Sequence, residues 1–153
     1  MTRPRITIVT DGACSGNGTA RARGGWAAIL VGPDGRTKEL SGAEAPTTNN
    51  RMELRGVIEG LRALKAGWPG EIQTDSAYVA DAITKGWMAG WKRRGWKKSS
   101  GEQIKNEDLW MLLDEQLTAH PDLVITWVRG HNGHPMNERA DRLAVEAAAH
   151  GPR

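Results

Sequence analysis

Ile6-Thr7-Ile8-Val9-Thr10-Asp11-Gly12 is a β-branched run closed by a turn-prone pair, and it reads as a strand that delivers Asp11 at its carboxyl end. Residues 15–25, rich in Gly and Arg, follow as a loop. Trp26–Val31 and Thr37–Ser41 flank Gly32-Pro33-Asp34-Gly35, a hairpin signal, so the first three strands form an antiparallel meander. After Pro46 the period changes: Leu54, Val57, Ile58 and Leu61 share one helical face, and the pattern stops near Gly67. Ile72–Thr74 is a brief strand ending in Asp75, and a helix runs from Ser76 to about Lys85, so this β-α-β crossover predicts parallel pairing. A helix over about 106–119, a strand over Leu123–Val128 and a Gly/His loop come next. The last helix, from about Asn137, places Ala140, Leu143, Ala144 and Ala147 on one face. The predicted class is α/β.

A chain of 153 residues, 39% of them hydrophobic, suits one domain over residues 1–153 with a single core. No apolar run approaches the roughly 18 residues of a membrane span, and the basic start Met1–Val9 has no signal-like apolar stretch, so a cytoplasmic protein without a membrane partner is expected. The single cysteine, Cys14, excludes an internal disulfide and, with four scattered histidines, a zinc cluster of finger-like spacing. The net charge of +3 is unevenly placed. Residues 85–98 hold six basic side chains (Lys85, Lys92, Arg93, Arg94, Lys97, Lys98) and no acid, leaving the remainder near −3. A basic segment on a mildly acidic body suits docking of a polyanion, and equally a solvated face.

Asp11 and Asp75 each close a predicted strand, and in an open α/β sheet reactive groups gather beyond the carboxyl ends of the strands. Glu53 and Asp141 flank the apolar stripes of two helices that can lean over the same edge. Four carboxylates in one place repel and raise one another's pKa unless a divalent metal neutralises them. Hard oxygen ligands point to Mg²⁺ or Mn²⁺, and two such ions about 4 Å apart could activate a water and stabilise the leaving 3′ oxygen of a phosphodiester. Each acid has a local alternative. Asp11-Gly12 could be a turn, Asn50 with Glu53 a capping box, Asp75 a helix N-cap, and Asp141 a partner of Arg139 or Arg142.

Thr10–Cys14, Thr47–Leu54, Thr74–Ser76 and Gly130–Asp141 resemble, in order and spacing, the four blocks of bacterial type 1 ribonucleases H, a likeness covering nearly the whole chain. The resemblance implies a five-stranded mixed sheet flanked by helices. It also implies endonucleolytic hydrolysis of the RNA strand of RNA/DNA hybrids without sequence specificity, leaving 5′-phosphate and 3′-hydroxyl ends. Asp11, Glu53, Asp75 and Asp141 take the places of the family's metal-binding carboxylates, with two Mg²⁺ ions, or Mn²⁺ as a substitute. His131 takes that of a loop histidine assisting proton transfer or product release, a role that its near-neutral titration suits. His134 is left to shape the turn before Pro135.

By the same resemblance, Cys14, Asn17, Asn49 and Glu53 contact the RNA strand. Asn49 has the alternative of capping its helix, and Cys14 acts through position rather than as a nucleophile. Residues 85–98 are similar to a basic protrusion that grips the DNA strand, giving Trp91, Lys92, Arg93, Arg94, Lys97 and Lys98 as DNA contacts, while Thr48 and Asn106 match a pocket for a DNA phosphate. Trp87 and Trp91 lie one helical turn apart, which suits at least one of them to anchor the protrusion, and Trp96 is read as structural. The chain departs from the pattern at Pro46, where the pocket commonly has an arginine, and at Ala77, where a polar side chain is common; the pocket is then either weaker or completed by Arg21 or Arg23 from the first loop. A monomer is expected. The rivals are a non-cleaving hybrid-binding module and a nuclease of the same fold acting on DNA junctions.

Overall fold

The computed structural model describes residues 5–17, 19–129 and 134–151. In chain order the elements are β1 (Ile6–Ser15), β2 (Arg23–Val31), β3 (Thr37–Glu44), α1 (Asn49–Ala63), β4 (Gly70–Thr74), α2 (Ala77–Thr84), α3 (Trp87–Arg93), α4 (Glu107–Ala119), β5 (Leu123–Trp127) and α5 (Pro135–His150). The five strands form one mixed sheet in the order β3-β2-β1-β4-β5. The first three pair antiparallel, and β4 and β5 join in parallel, as the hairpin and crossover signals predict.

Alternation along the strands sends successive side chains to opposite faces and so builds two cores. On one face Ile8, Ala28 and Ile72 meet Leu54, Val57, Ile58 and Leu61, the predicted stripe of α1, which is fully buried and backed by Leu109, Trp110 and Leu113 of α4. On the other, Val9, Ala27 and Ile29 meet Ala140 and Ala144 of α5. Ala148 rather than Ala147 completes that buried row, an i, i+4 spacing that tracks the helix's line across the sheet. Among the described residues no helix is long and apolar enough to cross a membrane.

Two boundaries differ from expectation for one physical reason. β1 does not turn at Asp11-Gly12 but runs on to Ser15, with Gly12 opposite Trp26, and β2 starts at Arg23, taking in Gly24 and Gly25. These glycines serve close approach. A Cβ on Gly12 would stand 2.5 Å from the main-chain nitrogen of Glu53, and one on Gly25 would collide with the main chain of Ala144 and Ala148. Without side chains there, α1 and α5 lie directly on the sheet.

Candidate active site

The parallel ladder between β1 and β4 covers only Ile6–Val9 against Gly70–Gln73; beyond it β1 continues with β2 alone. Continuing the register by two residues brings Asp11 level with Asp75, at the fork where the sheet ceases to separate the two helical layers. Glu53 arrives there from α1 because Gly12 admits the helix, and Asp141 arrives from α5 on the other face. Carboxylate oxygens of Asp11, Glu53 and Asp75 lie within 4.8 Å of one another. The charge of Asp141 is felt at Asp11, and that of Asp11 at Glu53.

The local alternatives are mostly taken by other residues. Thr48 caps α1, its hydroxyl accepting from the Arg51 N–H at 3.2 Å, so Glu53 is in no capping box. Ser76 caps α2, accepting from the Val79 N–H at 3.2 Å, which frees Asp75 from that duty. Arg139 is engaged by Glu39 through two hydrogen bonds of 2.7 and 2.9 Å.

Burial, then the charges of Asp75 and Asp141, pushes the Asp11 pKa up to about 7 against the opposing pull of the Gly12 N–H. Burial, then Asp11 and Asp75, pushes Glu53 up to about 10. The neighbours that raise both values are themselves carboxylates. Glu53 Oε2 is buried with no hydrogen-bond partner. A set of hard oxygen donors with an unsatisfied buried oxygen fits a small divalent cation.

Around the cluster the remaining predicted residues fall into three groups. Cys14, Asn17 and Asn49 form a strip: the Asn17 side-chain carbonyl accepts from the Asn49 N–H at 3.0 Å, and Cys14 Sγ lies 3.8 Å from the Thr47 carbonyl. Burial pushes the Cys14 thiol pKa up, against a nucleophilic role. Asn49 does not cap α1, because Thr48 does.

Thr48 and Asn106 are linked by Arg51, which donates to the Asn106 side-chain oxygen at 3.3 Å and grips Asp108 with two hydrogen bonds of 2.9 and 2.8 Å. Arg51 was not singled out from the sequence, although it lies inside the quoted Thr47–Leu54 block. The expected substitute Arg23 is elsewhere, donating to the Ala149 carbonyl at the end of α5 at 3.1 Å, and Arg21 is exposed. Arg51, not Arg23, lies between Thr48 and Asn106.

The basic segment contains α3 and lies between α2 and α4 in the chain. Trp91 meets the buried Trp110 edge-on, ring centroids 5.2 Å apart, so it anchors the protrusion, and Trp96 is half-buried against the same core. Lys92 pairs with Asp114 of α4 at 2.9 Å, and Arg94 donates to the Lys97 carbonyl. Arg93, Lys97 and Lys98 are exposed. His131 lies outside the described residues, and His134 precedes α5 without a capping bond.

Residues 3–149 match the RNase H family model. The ribonuclease H of Cupriavidus metallidurans is 54% identical over 144 residues, 94% of this chain and 95% of that protein. Among solved structures, LC9-RNase H1, a type 1 RNase H with the type 2 active-site motif, superposes with a TM-score of 0.85 at 35% identity, over 99% of this chain and 75% of that one. The foamy viral protease-reverse transcriptase in complex with RNA/DNA hybrid superposes at 0.83 and 19% identity, over 94% of this chain and 20% of that one, a likeness of fold.

Proposed function

The chain belongs to the ribonuclease H family and is a hydrolase, and from that premise we propose that it cuts the RNA strand of RNA/DNA hybrids endonucleolytically at the Asp11, Glu53, Asp75 and Asp141 cluster. One observation carries this: carboxylate oxygens of Asp11, Glu53 and Asp75, from three separate elements, meet within 4.8 Å. Asp11, Glu53, Asp75 and Asp141 would hold two divalent ions, Mg²⁺ by preference of the oxygen donors, and such ions would supply Lewis-acid activation of a water and charge neutralisation at the leaving 3′ oxygen, chemistry that would leave 5′-phosphate and 3′-hydroxyl ends. The chain's own residues do the rest. The four carboxylates hold and orient, and their mutual repulsion is relieved when cations occupy the site.

The strip of Cys14, Asn17 and Asn49 presents short polar groups beside the cluster, suited with Glu53 to sense ribose 2′-hydroxyls on the RNA strand. Thr48 and Asn106, with Arg51 between them, suit a phosphate of the DNA strand. Arg93, Arg94, Lys97 and Lys98, with Trp91 and Lys92 at their base, suit the same strand through sequence-independent contacts. His131 is assigned proton transfer or product release by its place in the Gly130–Asp141 block of the sequence.

End-labelled RNA/DNA hybrid, duplex RNA and duplex DNA, each incubated with Mg²⁺ and with chelator, test the reading. Only the RNA of the hybrid should shorten, and only with metal; cleavage of duplex DNA would favour a junction nuclease instead. Asp75→Asn should abolish cleavage while hybrid binding persists, and full activity in that variant would refute the assignment.

A further inference from the structure

Trp127 closes β5, in register with Thr74 of β4. Half of it, 50%, is exposed. Burial therefore does not account for an indole at this position, since tryptophan contributes most to stability when its large surface is covered. Its Nε1–H donates to the main-chain carbonyl of Asp75 at 3.1 Å. The neighbouring Thr74 is fixed separately, its carbonyl accepting from the Val128 N–H at 2.9 Å and its hydroxyl from the Ser76 N–H at 3.1 Å. The indole bond thus reaches one residue further, to the peptide that carries a member of the carboxylate cluster.

Trp87 offers a contrast. It is as exposed, at 47%, but lies on the protrusion, with the Lys85 ammonium 5.5 Å from its ring centroid. Trp127 is instead oriented by a hydrogen bond to the Asp75 carbonyl, and half of its surface is left open. An A-like helix shows sugars, rather than base faces, across its shallow minor groove, and a flat apolar ring packs on sugars without regard to sequence.

We infer that Trp127 is a positioning and substrate-contact residue for the reaction: its N–H holds the Asp75 peptide, and its exposed ring supports the sugars of the bound hybrid beside the scissile phosphate. This rests on the hybrid-cleavage reading above. Trp127→Phe keeps a ring and loses the N–H; Trp127→Ala loses both.

Steady-state kinetics on hybrid in Mg²⁺ should show kcat lowered about fivefold in Trp127→Phe with KM within about twofold of the parent. Trp127→Ala should show a similar kcat loss and a KM raised about fivefold. Unchanged kcat in Trp127→Phe overturns the positioning role, and equal KM in the two variants overturns the ring contact. A second readout needs no turnover. In the Asp75→Asn background, hybrid titration should quench tryptophan fluorescence, and adding Trp127→Phe should remove part of that quench; an unchanged quench overturns the contact even if Trp127→Ala fails to fold. Failure of the parent protein to cut hybrid would instead sink the proposed function, so the two failures are distinguishable.

Discussion

Asp11, Glu53 and Asp75 sit on three elements that meet in the interior, whereas Arg93, Lys97 and Lys98 sit on one exposed stretch that touches the body mainly through Trp91, Trp96, Met88 and Ile104. The first arrangement depends on main chain lying against main chain, with no side chain between α1 and β1 at Gly12. It is therefore all-or-none: a shift of α1 removes Glu53 from the other carboxylates. The second depends on a sum of charges, none of which must occupy one place, and it should fail by degrees.

Gly12→Ala is the sharpest way to break that difference. Its Cβ would stand 2.5 Å from Glu53 N and 2.6 Å from the Met52 carbonyl carbon, and main chain cannot swing aside as a flexible side chain can. A loss of at least about 3 kcal/mol is expected, with cleavage lost in step. Gly35→Ala is the control: its φ is +86° and nothing lies within 4 Å of the added atom, so only about 1 kcal/mol should go, for the backbone conformation alone. Urea denaturation of both variants checks the pair; equal losses would mean that α1 has room to move.

The same glycine shows where reading the sequence stops. Asp11-Gly12 is a turn signal locally, and only the helix lying above it reveals that the missing side chain serves contact. Period-based signals survived folding well. The Leu54, Val57, Ile58 and Leu61 stripe is wholly buried, and Asp11 and Asp75 do converge although β1 runs on past Asp11, because periodicity and crossover handedness report what faces the core. Roles that depend on a partner far away in sequence were not legible. Arg51 gives no sign of gripping Asp108, nor Trp127 of reaching Asp75, because each pairing exists only once α1 meets α4 or β5 meets β4.

A smaller test sharpens the electrostatic side. In the metal-free protein Asp11 and Glu53 carry folded-state pKa values raised to about 7 and about 10, above those of the unfolded chain. The folded state then holds protons that the unfolded state releases, so stability is fullest below about pH 4 for these groups and declines as pH rises through the folded values. Metal-free Tm should accordingly fall between pH 5 and pH 8 by this contribution, and Mg²⁺ at pH 8 should restore it. Asp11→Asn removes one of the repelling charges and should stabilise the metal-free protein at pH 8 by on the order of 2 kcal/mol. A flat Tm across this range, unmoved by Mg²⁺, would show that the carboxylates do not repel as their burial requires.

The protrusion should respond least, and unevenly. Lys97→Ala with Lys98→Ala should raise KM about fivefold with kcat nearly constant, and should flatten the dependence of hybrid affinity on salt, since two phosphate-neutralising charges are gone. Lys92→Ala should do less. Its ammonium already pairs with Asp114 at 2.9 Å, so its charge is locally balanced before any nucleic acid arrives. That pair is half-exposed and worth under about 1 kcal/mol to the fold, so its removal should leave Tm almost unchanged. KM and its salt slope, measured for Lys92→Ala beside the double variant, decide the matter. If Lys92 alone matches Lys97 and Lys98 together, Asp114 releases it on binding, and the base of the protrusion takes part in the grip rather than merely holding α3 to α4.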